Sequence, residues 1–138
     1  MTSRAALIAT LAALAAGCST GSGGDAAAPR GAFPQGTFET KITHADLRGT
    51  AFPSDNAHWE TLSFHNGTWR DVWFHPRRGD QPPAGGRYAV HGQELTLLPV
   101  RDVVRWSYFR GQLRFRIVDV ADSFGRFTYT VHPWRRIS

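Results

Sequence analysis

Cysteine is nearly absent. Cys18 is the only one among 138 residues, so no internal disulfide can form. Lysine is just as scarce: Lys41 stands against 15 arginines, a bias that reflects high-GC coding more than any structural demand for guanidinium. The longest apolar run, Ala5 to Gly17, has 13 residues, short of the roughly 20 that a membrane-spanning helix needs. Helical periodicity of useful length is missing as well. Turn formers and aromatics are abundant, with 14 Gly, 8 Pro, 5 Trp, 3 Tyr and 9 Phe. With 41% apolar and 20% charged residues, the composition suits one folded domain and excludes a wholly disordered chain.

At the N-terminus, Arg4 precedes the apolar run, which ends in Leu14-Ala15-Ala16-Gly17-Cys18. This ending resembles the lipobox of bacterial lipoproteins, with the leucine one place early. The resemblance implies that residues 1–17 are a signal peptide and that Cys18 carries a thioether-linked diacylglycerol. It also implies a protein anchored outside the cytoplasmic membrane, since two or three acyl chains hold firmly where one does not. Residues 18–35 are mostly Ser, Gly, Ala and Pro, too poor in bulky side chains to offset the entropy of ordering. They read as a flexible tether with a reach of roughly 20–25 Å. The folded domain is expected over 36–138, with 14 basic and 10 acidic side chains, a net charge of +4.

From Gly36 onward the dominant period is two. Phe38, Thr40 and Ile42 alternate with polar neighbours, then Glu60, Leu62 and Phe64 share a face. Asn66-Gly67 follows, the strongest short hairpin signal because both turn positions need φ > 0. Further strands are expected over Trp69–His75, around Tyr88 and Val90, around Leu95 and Leu97, at Val104–Tyr108, at Leu113–Ile117 and at Phe127–Val131. A single helical turn ending at Leu47 fits between the first two strands. Eight antiparallel strands joined by tight turns predict an up-and-down barrel, whose closure removes open edges. A two-sheet β-sandwich is the alternative.

Several stretches, taken in order, resemble the calycin-like (lipocalin-type) domains of secreted and lipid-anchored proteins in high-GC Gram-positive bacteria. They are Gly36-Thr37-Phe38, His44-Ala45-Asp46-Leu47, Phe64-His65-Asn66-Gly67, Gly86-Arg87-Tyr88-Ala89-Val90 and the closing His132-Pro133-Trp134-Arg135-Arg136-Ile137. The resemblance covers roughly residues 34–138 and implies a fold and a location but no activity. Glu60 departs from it, standing where an aromatic is expected. Either a bulge lies there, or Glu60 points inward and needs a partner such as an arginine.

No residue set marks an enzyme. The acidic residues lack a paired pattern and the serines lack a nucleophile elbow, so no catalytic residues are assigned. The six histidines lack i, i+4 or His-x-His spacing and read as solvated side chains, so no metal and no cofactor is expected. Arg114 and Arg116 lie opposite Leu113, Phe115 and Ile117 and form an outer basic stripe, suited to an anionic partner or simply to solubility. Nucleic acid is not expected as a partner outside the cell. Trp69 and Trp73 share a face with Asp71, inward or outward. Alternation turns Phe64, Tyr88, Trp106, Tyr108, Phe115 and Tyr129 inward, where they line a ligand cavity or fill the barrel. The expected function is binding of a small apolar or amphipathic ligand by a lipid-anchored barrel. The alternative is a solid barrel that docks an envelope protein or glycan.

Overall fold

The structure, a computed structural model, describes residues 32–138. The expected signal peptide, Cys18 and most of the expected tether lie outside the described residues. Nine strands and two short helices make up the rest: β1 (Gly36–Ile42), α1 (His44–Leu47), β2 (His58–His65), β3 (Thr68–His75), β4 (Gly79–Asp80), β5 (Ala84–His91), β6 (Glu94–Leu98), β7 (Asp102–Phe109), β8 (Gln112–Asp119), α2 (Ser123–Val131) and β9 (Trp134–Arg136).

All pairings are antiparallel, and β2 pairs with both β1 and β3. The ring therefore runs β1-β2-β3-β5-β6-β7-β8-β9 and returns to β1, a closed eight-stranded barrel in chain order. The two-residue β4 adds to β3 outside that ring. Closure rules out the sandwich. The Asn66-Gly67 turn has the positive φ values its sequence demands, 46° and 77°, and sets the register that places Glu60 opposite Trp73 and Leu62 opposite Asp71.

Alternation decides which side chains fill the barrel. Phe38, Leu62, Phe64, Trp69, Leu95, Leu97, Val104, Trp106, Leu113, Phe115 and Trp134 are buried in one core. The face of β3 that carries Trp69, Asp71 and Trp73 is the inward one, since Trp69 is buried while Phe74 stands 48% exposed. Close backbone approach explains Gly86. A Cβ there would lie 1.9 Å from the Leu98 carbonyl oxygen, which accepts a 2.9 Å hydrogen bond from Trp69 Nε1.

Three expectations are corrected. The stretch Phe127–Val131 is not the last strand. Residues 123–131 form α2, capped by the Asp122 carboxylate on the Gly125 amide, and the eighth barrel strand is the short β9. Helix wins because Phe124, Phe127 and Val131 fall on one face and pack with Phe52 against the cluster of Ile42, Leu47 and Ala57, closing the base of the barrel. Next, β2 and β3 pair without a bulge at Glu60, so its side chain points inward, and the partner is His58, not an arginine. Finally, two histidines are not solvated. His58 and His75 are buried, and His75 pins the 76–79 loop by accepting from the Arg77 and Arg78 amides, 3.1 Å each.

Residues 32–35, read from the sequence as the end of the tether, pack on the domain. Gln35 Oε1 accepts from the Asn66 amide at 2.9 Å, and Phe33 is only 9% exposed.

Candidate functional site

The barrel interior divides into two halves of different chemistry. At the mouth, where β1 begins and the Asn66-Gly67 turn lies, three of the six predicted site residues surround one ring. Phe33 sits edge-on to Phe64 (4.9 Å between centroids) and to Trp106 (5.3 Å), with Tyr88 at 5.5 Å. Phe64 meets Tyr88 edge-on at 5.5 Å, so the walls of this slot also brace one another. Such edge-to-face geometry places the positive rim of one ring on the negative face of the next, worth about 0.5–1.5 kcal/mol per pair beyond area burial. The slot thus holds an aromatic ring supplied from outside the barrel strands. Tyr108 stands beside it, against Phe38 at 6.1 Å.

The remaining two predicted residues continue the same core, with Phe115 directly opposite Trp106 across β7 and β8. Phe115 and Tyr129 meet edge-on at 5.6 Å, and Phe115 also contacts Trp134 at 6.2 Å. Tyr129 comes from α2, not from a strand, and its hydroxyl donates to Asp102 Oδ2 at 3.2 Å. Alternation therefore turns five of the six inward from strand positions, while the sixth, Tyr129, joins the same core from α2.

Below the mouth lies a buried polar cluster that residue reading missed. His58 Nδ1 faces the Asn56 carbonyl at 2.6 Å, an acceptor only, so this nitrogen carries a proton. His58 Nε2 lies 3.0 Å from Glu60 Oε2. With the imidazole neutral, Nε2 accepts and Glu60 must donate. With it charged, Nε2 donates to the carboxylate. Either way one proton sits between them.

Asp71 reaches the same cluster from β3. Its Oδ2 accepts from Trp73 Nε1 at 3.1 Å, while its buried Oδ1 has no hydrogen-bond partner among the described residues. Burial raises the pKa of both carboxyls, and the charge of Glu60 raises that of Asp71 further. Burial pushes His58 down, toward its neutral form. Tyr129 is pushed up by burial and by the carboxylates Asp102, Asp71 and Glu60. Trp73 stacks on the His58 ring at 4.4 Å, and Phe124 of α2 lies 5.7 Å from each, sealing the cluster at the base.

Among the described residues, no group of three or more His, Cys, Asp or Glu side chains is arranged to hold an ion. No family model matches the chain, and neither a curated protein nor a solved structure matches it. The closed antiparallel barrel is compatible with a calycin-like fold, and the functional reading rests on the geometry itself.

Proposed function

We propose that this chain is a lipid-anchored, extracytoplasmic calycin-like binding protein whose barrel mouth takes a small apolar ligand with an aromatic ring. The observation that carries the reading is the seating of Phe33: Phe64, Tyr88 and Trp106 form a slot with the shape and polarity of an aromatic group. Phe33 belongs to the segment leading into β1 and can leave without breaking a strand pairing. A ligand of similar chemistry would exchange with it.

Seating a phenyl ring contributes about 2 kcal/mol, so an incoming ligand loses about 30-fold in apparent affinity to the resident ring. Phe33→Ala should therefore bind the neutral probe N-phenyl-1-naphthylamine roughly 10- to 30-fold more tightly than the parent chain. Equal affinities, or no binding by either, would overturn the mouth as the site. The anchor rests on the Leu14–Cys18 sequence, and its test is separate. Cys18→Ser should release the protein from membranes into the medium, and unchanged retention would contradict it.

A second reading has an observation of its own. Trp59 and Phe74 are opposed across β2 and β3 on the outer wall, each 48% exposed, with Lys41 Nζ 4.6 Å above the Trp59 ring. That patch suits docking of an envelope protein or glycan. Loss of envelope association in a Trp59→Ala, Phe74→Ala double variant, with probe binding unchanged, would favour this reading over the first.

A further inference from the structure

The barrel wall is not equally complete all round. Strand β8 runs to Asp119, but β9 pairs with it only at Gln112 and Leu113. Below that point the neighbour of β8 is α2. A helix cannot continue the ladder, and a cleft of about 240 Å³ lies between β8 and the C-terminal end of α2. Arg114 and Arg116 line it from β8, with Ser107 of β7 beside them and Thr130, His132 and Pro133 across from them. Two core rings, Phe115 and Tyr129, also line it.

The charge in this cleft is uncompensated. Arg105, Arg77 and Arg135 each meet a carboxylate, whereas neither Arg114 nor Arg116 forms an ion pair with a described residue. Arg114 has one long contact, 3.4 Å to Gln112 Oε1. His132 is engaged through Nε2, 3.0 Å from Asp46 Oδ1, so its role here is as a wall. The end of α2 brings a partial negative charge of about one half, which two guanidinium groups outweigh several-fold. Codon bias explains why the basic residues are arginines. It does not explain why these two flank the one place where the barrel wall gives way to a helix.

We propose that this cleft is a second binding site, for the phosphate group of a phosphoester, with Arg114 and Arg116 holding the phosphate oxygens and Phe115 and Pro133 against the attached organic group. The guanidinium fork matches phosphate geometry with paired N–H donors, a fit that a single ammonium lacks. Its volume is below that of usual drug-sized sites and suits a headgroup or a small aryl or sugar phosphate. The site is independent of the mouth and of any ligand bound there.

The test uses the full chain carrying Cys18→Ser, so that no lipid anchor draws it onto membranes, and two probes, phenyl phosphate in solution and vesicles of phosphatidylglycerol. Calorimetric titration with phenyl phosphate should show saturable binding that falls at least roughly tenfold in Arg114→Gln and in Arg116→Gln, because each removes a charge-assisted pair. Arg105→Gln, a change of equal charge on the neighbouring strand outside the cleft, should leave binding within about twofold. Vesicle sedimentation lost in the double variant, without binding of phenyl phosphate, assigns the phosphate to a lipid headgroup. Binding of phenyl phosphate without vesicle binding assigns a soluble phosphoester. No saturable binding of either probe, or an equal loss in Arg105→Gln, would overturn the site.

Discussion

The two halves of this barrel solve the problem of a filled interior in opposite ways. At the mouth, Phe33, Phe38, Phe64, Tyr88, Trp106 and Tyr108 meet as rings, and their contacts are indifferent to proton concentration. At the base, His58 with Glu60 and Trp73 with Asp71 meet as hydrogen-bonding groups whose pairing depends on where protons reside. The mouth admits a residue from outside the barrel strands. The base is closed by α2, through Phe124.

The contrast predicts different responses to substitution and to pH. Phe64→Ala should lose about 3–5 kcal/mol in urea denaturation, because it leaves a cavity against Phe33, Phe38 and Tyr88, and the loss should be the same at pH 6 and pH 9. Gly86→Ala should cost about 3 kcal/mol or more, since its Cβ collides with backbone and displaces the Trp69 bond.

The base should respond to pH instead. Burial raises both of its carboxyls, Glu60 to about 7 and Asp71 to about 8, and the charge of Glu60 lifts Asp71 further. A raised carboxyl stabilises the fold below its unfolded pKa, and that contribution is lost as pH climbs through the folded value. Stability of the parent chain should therefore fall by a few kcal/mol, as an order of magnitude, between pH 6 and pH 9. Glu60→Gln should flatten that fall, measured by denaturation at each pH. A parent chain equally stable at both values would break the contrast.

Asp46 supplies a counter-example outside the interior. Burial opposes its charge, yet hydrogen bonds from Thr43 and His132 prevail and hold its pKa down at about 2. Its contribution is present above the ordinary carboxylate range and is lost as pH falls toward 2, the opposite sign to the base. Asp46→Asn removes the reciprocal half of the Thr43 capping box and should cost about 0.5–2 kcal/mol at pH 7. The smallest effect is expected at Arg77→Ala. Its 3.5 Å pair with Asp55 is exposed on both sides and should be worth less than about 0.5 kcal/mol.

Much of this is legible in the sequence. Period-two alternation located seven of the barrel strands, and Asn66-Gly67 set the first hairpin. Counting outward from that turn pairs Glu60 with Trp73 and Leu62 with Asp71, so the acidic pair could have been found from register alone. The obstacle was the undecided face of Trp69, Asp71 and Trp73, which packing settles and composition does not. Helix α2 was hidden because Phe127, Tyr129 and Val131 also satisfy the strand period, while Gly125, Thr128 and Thr130 are poor helix formers. Its signal was Asp122 ahead of Phe124, Phe127 and Val131. Phe33 escaped notice because a single aromatic among Ala, Gly and Pro carries no period.

The most direct test of the central claim is fluorine NMR of the full-length protein with 4-fluorophenylalanine placed at residue 33 alone. The account predicts one resonance in a buried environment that moves to the exposed position in step with binding of N-phenyl-1-naphthylamine, reaching completion at one equivalent. A probe that binds while the residue 33 resonance stays in its buried position would contradict exchange at the mouth.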